Sequence, residues 1–198
     1  MIDLDLLPSR WTAWYPGAPP FAPDLRALFG ERWLRIHSLP EAKRYADDER
    51  EYEELLARHE RVATDLLGAG GDCMLLHVRF RSVELEGAPP LAAPLDPLPA
   101  VALGLVPALG WGVDEGPGGR VVADVYAAPV RWEPGVFTPL IREIADDAID
   151  GIVFVAWETC RVYAPYDGGA DLFFDSPGER ERFRAKYAEW LSRRPDGL

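Results

Sequence analysis

Residues 48–84 read DEREYEELLARHERVATDLLGAGGDCMLLHVRFRSVE and contain the clearest helix and strand patterns of the chain. The first part of this stretch predicts a long amphipathic helix, because apolar and aromatic side chains recur at spacings of three and four. These side chains form one stripe, made of Tyr52, Leu55, Leu56, His59, Val62, Ala63, Leu66 and Leu67. Asp48 and Glu51 have the spacing of a capping box, and Gly68 is predicted to end the helix. We expect His59 to lie at the edge of the core with one hydrogen bond.

The second part of this stretch, from Cys73 to Glu84, predicts a β-strand with two alternating faces. One face is apolar and holds Met74, Leu76, Val78 and Phe80, while the other holds His77, Arg79 and Arg81. Similar patterns predict strands over residues 32–38, 121–126, 152–157, 161–164 and 171–174. The apolar run at 101–113 is expected to form a hairpin with the strand at 121–126.

Two further helices are marked by their N-terminal residues. Thr138 followed by Pro139 predicts the start of one helix, and Ser176, Pro177 and Glu179 predict the start of another. The resulting order of strands and helices indicates an α+β fold. We expect a mostly antiparallel sheet with three main helices packed on one face, in a single domain over residues 1–198.

Two segments are rich in proline. In the N-terminal arm at residues 8–23, the prolines predict an extended segment that wraps the surface and contains no helix. A short helix is expected to follow from Asp24 to Gly30. The segment at 87–99 contains five prolines and predicts an extended loop.

The net charge of −12, from 33 acidic and 21 basic residues, restricts the expected partners. An acidic surface repels phosphate backbones, so nucleic-acid binding is not expected. The same surface suits a basic protein partner, because complementary potentials speed the encounter. Solubility alone is an alternative reason for the acidic composition.

Several features predict a cytoplasmic protein. No run of about 18 apolar residues is present, so no membrane-spanning segment is expected. The N-terminus lacks the basic and apolar regions of a signal peptide. Cys73 and Cys160 lie far apart in the chain and are expected to be reduced thiols, with Cys160 buried in a strand.

Sequence motifs for catalysis and metal binding are missing. His37, His59 and His77 do not have the spacing of metal ligands, and no Cys-x-x-Cys pair occurs. No Gly-x-Ser-x-Gly nucleophile motif and no phosphate-binding loop occur either. We therefore expect no catalytic residue, no cofactor and no metal.

Two loop segments have the composition of a binding site, namely residues 39–46 and residues 163–171. Tyrosine and arginine favour interfaces and anion recognition, and loops often contain functional residues. The candidate binding residues are Arg35, Lys43, Arg44, Tyr45, Tyr163, Tyr166 and Asp167. In the alternative interpretation, Asp167 and the glycines after it only form a hairpin turn with positive φ, and the tyrosines cover a sheet edge.

Two runs of the chain resemble an uncharacterised bacterial family of unknown function: SLPEAKRYADDEREYEELLARHERV, which begins at Ser38, and YAPYDGGADLFFDSPGERERFRAKYAEWLS, which begins at Tyr163. Members of that family have a Leu-Pro…Lys-Arg-Tyr element before a long acidic helix. They also have a Tyr-x-Pro-Tyr-Asp-Gly-Gly hairpin before a C-terminal helix. The resemblance implies a bacterial single-domain protein, and it assigns no catalytic residue to this chain.

Two functions from different classes fit these features. The first is a non-enzymatic protein-binding module, such as an immunity-type or other inhibitory protein that binds a basic partner. The alternative is an enzyme or small-ligand binder whose site lies between the 39–46 loop and the 163–171 hairpin. In that site Arg44 would bind an anion and Asp167 would act as a base. The alternative requires the candidate side chains to converge on a concave pocket.

Overall fold

The computed structural model describes residues 2–83, 98, 101, 103–116, 119–194 and 196–198. In this part of the chain the helices are α1 (Leu7–Trp14), α2 (Ala22–Phe29), α3 (Glu49–Leu67), α4 (Thr138–Ala145) and α5 (Pro177–Lys186). The strands are β1 (Trp33–His37), β2 (Gly71–Val83), β3 (Val106–Gly116), β4 (Gly119–Trp132), β5 (Ile152–Ala156), β6 (Val162–Tyr166) and β7 (Gly169–Phe173). None of these helices is long and apolar enough to cross a membrane.

The described strands form one seven-stranded sheet with the order β1-β7-β6-β5-β2-β4-β3. All neighbouring strands in it are antiparallel, so the predicted α+β class with an antiparallel sheet is confirmed. The predicted hairpin between the run at 101–113 and the strand at 121–126 is also confirmed, as β3 and β4. The longest pairing joins β2 to β4, from Gly71 opposite Trp132 to Val83 opposite Arg120.

Helix α3 begins where the sequence predicts. The side chain of Asp48 accepts a hydrogen bond from the backbone N–H of Glu51 at 2.9 Å. The carboxylate of Glu51 accepts one from the N–H of Asp47 at 2.7 Å, one residue before the position expected in a capping box. The predicted stripe is buried between Leu55 and Leu67, so α3 packs on the sheet along most of its length.

Helices cover both faces of the sheet, whereas three main helices on one face were expected. Side chains of α3, α4 and α5 share a core with Leu75 and Phe154. Side chains of α1 and α2 share a second core with Met74 and Val153. Successive residues of a strand point to opposite faces, so the sheet separates the two cores. The three predicted main helices, α3, α4 and α5, do lie on one face, but the count of three is not matched exactly, because five helices occur in the described residues.

Helix α1 lies within the arm at 8–23, where the sequence prediction excluded a helix. Pro8 occupies the first turn of α1, where its missing N–H has no intrahelical partner to lose. Trp11 is fully buried, and its indole N–H donates to the carbonyl oxygen of Ala18 at 2.7 Å. Helix α2 also starts earlier than predicted, at Ala22. The prolines of the arm therefore occupy first turns and connections, and they do not exclude helices.

The predicted proline-rich loop at 87–99 lies outside the described residues, except for Leu98. Leu98 is buried and forms an isolated antiparallel bridge with Leu103. The N–H of Val101 donates to the carbonyl oxygen of Leu98 at 3.2 Å. These residues belong to the core on the α3 face of the sheet, or pack against it.

The central strand β2 is much longer than its neighbour β5. Strand β5 pairs only with the segment Cys73–His77 of β2. The next backbone contact is a hydrogen bond from the N–H of Val78 to the carbonyl oxygen of Gly151, at 2.8 Å. A glycine is required at this point, because a Cβ on residue 151 would lie 2.3 Å from the carbonyl oxygen of Val78. After Val78, no strand among the described residues pairs with this edge of β2.

Candidate partner-binding groove

An open groove of about 1100 Å³ lies where β5 begins and β2 continues alone. Val78 of β2 and Ile152 of β5 are among the residues that line it. The segment 147–151, which follows α4, lines one side. Tyr166 at the end of β6 and Phe21 just before α2 line the others. The groove therefore begins where the pairing of β2 with β5 ends.

Three acidic side chains line the groove close to the end of α4, namely Glu143, Asp147 and Asp150. None of them forms an ion pair or a side-chain hydrogen bond with another described residue. No group of three or more side chains that could hold a metal ion occurs in the part of the chain that the structure describes. The negative charge of these carboxylates is therefore available to a cationic partner.

Helix α4 ends in a Schellman motif, and Asp147 of this motif lines the groove. The N–H of Asp147 donates to the carbonyl oxygen of Ile144 at 3.0 Å, and the N–H of Ala148 donates to that of Glu143 at 2.9 Å. Asp147 has a φ of 57°, in the left-handed region where glycine is the usual residue. Aspartate and asparagine adopt this region more readily than other residues with a side chain, so Asp147 fits the turn.

His77 also lines the groove, and it is only 4% exposed. Its Nδ1 atom is buried and has no hydrogen-bond partner among the described residues. Burial, helped by the charge of Arg79, lowers the pKa of His77 to about 4, so the ring is neutral at pH 7. Buried polar groups are normally paired, and an unpaired one often belongs to a functional site.

Arg35 and Tyr166, two of the predicted site residues, line the groove next to Asp171. Arg35 donates from Nε to Oδ1 of Asp171 and from Nη2 to Oδ2, both at 2.8 Å. The indole N–H of Trp33 donates to the same Oδ1 at 2.7 Å. The guanidinium of Arg35 lies 4.7 Å from the ring centre of Tyr166. Arg35 and Asp171 thus neutralise each other's charge. Their paired hydrogen bonds hold this wall of the groove, formed by Arg35, Asp171 and Tyr166, in place.

Arg44, Tyr45 and Asp167 do come together, as the sequence hypothesis requires. Arg44 donates from Nε to Oδ2 of Asp167 at 2.5 Å and from Nη2 to Oδ1 at 2.8 Å. The hydroxyl of Tyr45 donates to Oδ2 at 2.7 Å. Burial alone would raise the pKa of Asp167, but these hydrogen bonds lower it below its ordinary value. Asp167 is therefore a poor proton acceptor, and none of the three residues lines the groove.

The turn that contains Asp167 differs from the predicted one. Neither Asp167 nor Gly168 has a positive φ, although the sequence prediction required it. Gly169 is needed for a different reason, because a Cβ there would lie 2.0 Å from the carbonyl oxygen of Ile36. Glycine at 169 thus permits the close approach of β7 to β1.

Lys43 and Tyr163 lie away from the other predicted site residues. The Nζ atom of Lys43 binds Asp47 at 2.7 Å and Glu51 at 2.5 Å, so Lys43 contacts the start of α3. Tyr163 is fully buried in the core on the α3 face. The structure therefore brings two candidates to the groove, joins three others in one ion-paired cluster and separates the remaining two.

A buried chain of hydrogen bonds joins Ser38, His59 and Tyr163, and the sequence prediction did not include it. The Oγ of Ser38 lies 2.8 Å from Nε2 of His59, and the hydroxyl of Tyr163 lies 2.5 Å from Nδ1. His59 is 1% exposed, so the expected position at the core edge and the single hydrogen bond were wrong. Burial lowers the pKa of His59 to about 4. Ser38 and Tyr163 are fully buried, so this chain stabilises the core and is not accessible to a substrate.

Cys160 was expected to be a buried thiol in a strand, but it is half-buried and lies in the connection between β5 and β6. Its φ of 54° is incompatible with a strand. The hydroxyl of Tyr15 donates to the carbonyl oxygen of Cys160 at 2.7 Å. This hydrogen bond ties the segment after α1 to the connection between the two strands.

Leucine substitutions at the two buried histidines are expected to have opposite effects. His59→Leu should lower the free energy of unfolding by about 2–4 kcal/mol, because the hydroxyls of Ser38 and Tyr163 lose their shared buried partner. His77→Leu should raise it by about 1 kcal/mol, because no described partner loses a hydrogen bond. Urea unfolding at pH 7 measures both, and equal shifts of the same sign would contradict the assigned contacts.

Comparison with known proteins gives one assignment. No curated protein and no solved structure matches the chain. One family model does match, over residues 21–195, and its description is a domain of unknown function, DUF3885. That range includes every strand of the sheet and all residues of the groove described above. Because the match spans nearly the whole chain, the protein belongs to the DUF3885 family.

Proposed function

We propose that this protein is a non-catalytic binding module for a basic protein partner, and that the groove is its binding surface. The observation that supports this most directly is the set of three acids, Glu143, Asp147 and Asp150, which line a large concave surface and form no ion pair with another described residue. Arg79 is the one exposed basic residue among the lining side chains that are described. The acids therefore outnumber the bases that are free to meet a partner.

The state of the other polar groups supports binding over catalysis. The carboxylate of Asp171 is neutralised by Arg35, and that of Asp167 is neutralised by Arg44. His59 is bound on both ring nitrogens and is closed off from solvent. A general acid or base needs a reachable group with a pKa near the working pH. Asp167 and Asp171 are occupied by ion pairs and His59 is closed off from solvent, so none of these three groups is reachable.

The overall charge of −12 supports the choice of a basic partner. Complementary potentials raise the rate of encounter and disfavour wrong partners. In this proposal the protein acts in the bacterial cytoplasm as an immunity-type or other inhibitory protein. A basic part of the partner would bind in the acidic groove of this protein.

The alternative, an enzyme or small-ligand site between the 39–46 loop and the 163–171 hairpin, receives less support from the geometry. Its proposed base, Asp167, has a lowered pKa and receives hydrogen bonds from both Arg44 and Tyr45. A ligand would have to displace these contacts before it could meet the carboxylate. The groove, in contrast, is already open.

The test of this proposal is a charge-neutral variant of the groove, Glu143→Gln/Asp147→Asn/Asp150→Asn. Asparagine tolerates the left-handed φ of residue 147, so the turn after α4 should form as before. Wild-type protein should capture a basic protein from a lysate of the native host, in stoichiometric amount. With both proteins purified, the variant should bind at least about tenfold more weakly by calorimetry.

A matched control removes the same charge at exposed acids outside the groove, in the variant Glu53→Gln/Glu133→Gln/Glu158→Gln. This control should bind within about twofold of the wild type, since long-range screening weakens remote charges. Equal weakening by the two triple variants would mean that only net charge matters. Failure to recover a stoichiometric basic protein would refute the proposal.

A further inference from the structure

We infer that the basic partner binds as an extended segment, which adds a strand to the free edge of β2 inside the groove. This inference rests on the proposed function, and it specifies how the partner is held. Strand addition uses main-chain hydrogen bonds for affinity and alternate side chains for specificity. The described residues of β2 and of the groove provide both.

Among the described residues, the edge of β2 is unpaired directly after its last backbone contact with the β5 side, and this unpaired stretch is the free edge. The N–H of Val78 points to that side, since it donates to Gly151. Alternate residues of a strand direct their N–H and C=O groups to the same side. The N–H and C=O of Phe80 therefore also point away from β4 and into the open edge. The pairing of Arg79 with Asp124 and of Arg81 with Val122 keeps the opposite edge of β2 occupied by β4.

The groove has room for a strand because β5 starts late. The register places Phe154 opposite Tyr163 and Val155 opposite Val162, so β6 ends at about the level of Gly151. An added strand would continue the line of β5 beyond Gly151, next to β2. The wall formed by Arg35, Asp171 and Tyr166 is held by short hydrogen bonds and needs no rearrangement. The edge is therefore preorganised, which reduces the entropic cost of binding.

The two faces of the sheet differ in chemistry at this edge. Phe80 shares its face with Val78 and packs against Phe21, with ring centres 4.7 Å apart. The opposite face is the α4 side, where Glu143 and Asp147 lie. A strand added here would direct alternate side chains to an apolar surface and to an acidic one. The expected segment therefore alternates apolar residues with lysine or arginine.

Charge favours a basic segment of another protein over two other possible occupants of the groove, namely a segment of this chain and a second copy of the protein. The chain's own segment 84–97 contains Glu84, Glu86 and Asp96 and no basic residue, so it does not complement the acids of the groove. A second copy of the protein would bring another net charge of −12 to the same edge. A basic segment of a different protein is the occupant that the electrostatics favour.

The experiment selects binders from a displayed library of random twelve-residue peptides and then measures the selected peptides in solution. Peptides with alternating basic and apolar residues should be enriched. Each selected peptide is then synthesised in two forms, with N-methyl groups either on the odd-numbered or on the even-numbered amides. These two forms are called the two N-methyl phases. One phase should bind at least tenfold more weakly than the other, because only one set of amides faces β2.

On the protein side, Phe80→Pro is compared with Phe80→Ala. Both remove the ring, but only proline removes the N–H at the free edge, and proline is tolerated where a strand N–H faces solvent. Phe80→Pro should weaken peptide binding at least tenfold beyond the effect of Phe80→Ala. Circular dichroism and thermal melting check that both variants fold. If Phe80→Pro does not fold, the two N-methyl phases decide the question.

Each other outcome has a distinct meaning. Enriched peptides without basic residues would refute the proposed function together with this inference. Basic peptides that bind both N-methyl phases and both Phe80 variants equally would refute strand addition alone, as would the absence of any enriched peptide. A wild-type dimer that Phe80→Pro dissociates in sedimentation experiments would identify a second copy as the occupant and would also overturn the inference.

Discussion

Between pH 7 and pH 4 the free energy of unfolding is expected to fall by roughly 6 kcal/mol through His59 and His77 together. The ordinary pKa of histidine is 6.5, and burial lowers the pKa of both residues to about 4. Between these two values the unfolded chain binds protons that the folded chain does not. Stability is therefore complete above pH 6.5, declines as the pH falls, and stops declining through these groups below pH 4. Urea unfolding at intervals of half a pH unit measures this slope.

Histidine titration can be separated from that of the carboxylates. The ordinary pKa values of aspartate and glutamate are 3.8 and 4.5, and those of Asp167 and Glu51 are lowered further in the fold. The loss between pH 6.5 and pH 5 therefore reports mainly the histidines. His77→Leu should remove about half of the part that His59 and His77 contribute, while His37, whose pKa is lowered by burial and by the charges of two arginines, adds to the loss in the same direction. Ring proton signals of His59 or His77 that titrate near pH 6.5 in the folded protein would contradict the prediction.

The second large effect is expected at the ion pair of Arg35 with Asp171. Asp171→Leu should lower the free energy of unfolding by about 3–5 kcal/mol, because the guanidinium of Arg35 and the indole N–H of Trp33 lose their acceptor in a largely buried place. Arg35→Met should have a cost of similar size, since it leaves a carboxylate that is 3% exposed. Urea unfolding of the single variants measures both values.

The double variant Arg35→Met/Asp171→Leu is the control for this prediction. It removes both charges, so it should recover most of the stability that either single change loses. Arg142→Met is a second control, because the pair of Arg142 with Glu49 is exposed and should contribute little. Additive losses in the double variant would mean that the two residues do not depend on each other.

The sequence was sufficient to predict the helices and strands whose apolar residues recur at a regular spacing. The stripe from Leu55 to Leu67 identifies α3, which buries one regular face. The strand pattern that starts at Cys73 identifies β2, although both faces of β2 are buried from Cys73 to Val78. Local capping signals also identify the start of α5, where Ser176 accepts from the N–H of Glu179 at 3.3 Å. These features depend on residues that are close in the chain. That is why a pattern without structural information can reveal them.

The features that the sequence did not reveal depend on distant residues. Arg35 and Asp171 are 136 positions apart, and Arg44 and Asp167 are 123 positions apart. Composition suggested that the two loop segments were polar sites, but it could not show that Arg44 neutralises Asp167. The groove results from a difference in length between β2 and β5, which appears only once their register is known. Helix α1 was missed because a proline was taken to exclude a helix, although its position in the first turn decides the matter.

The position of α1 affects how this protein should be prepared in the laboratory. The family match begins at residue 21, so a chain trimmed to that boundary would lack α1. Trp11 and Tyr15 are fully buried against the face of the sheet that α3 does not cover. Trimming would leave that apolar surface in contact with water and would promote aggregation. Purification of soluble material therefore calls for a chain that includes α1, and poor yields from versions without α1 would say nothing about what the groove binds.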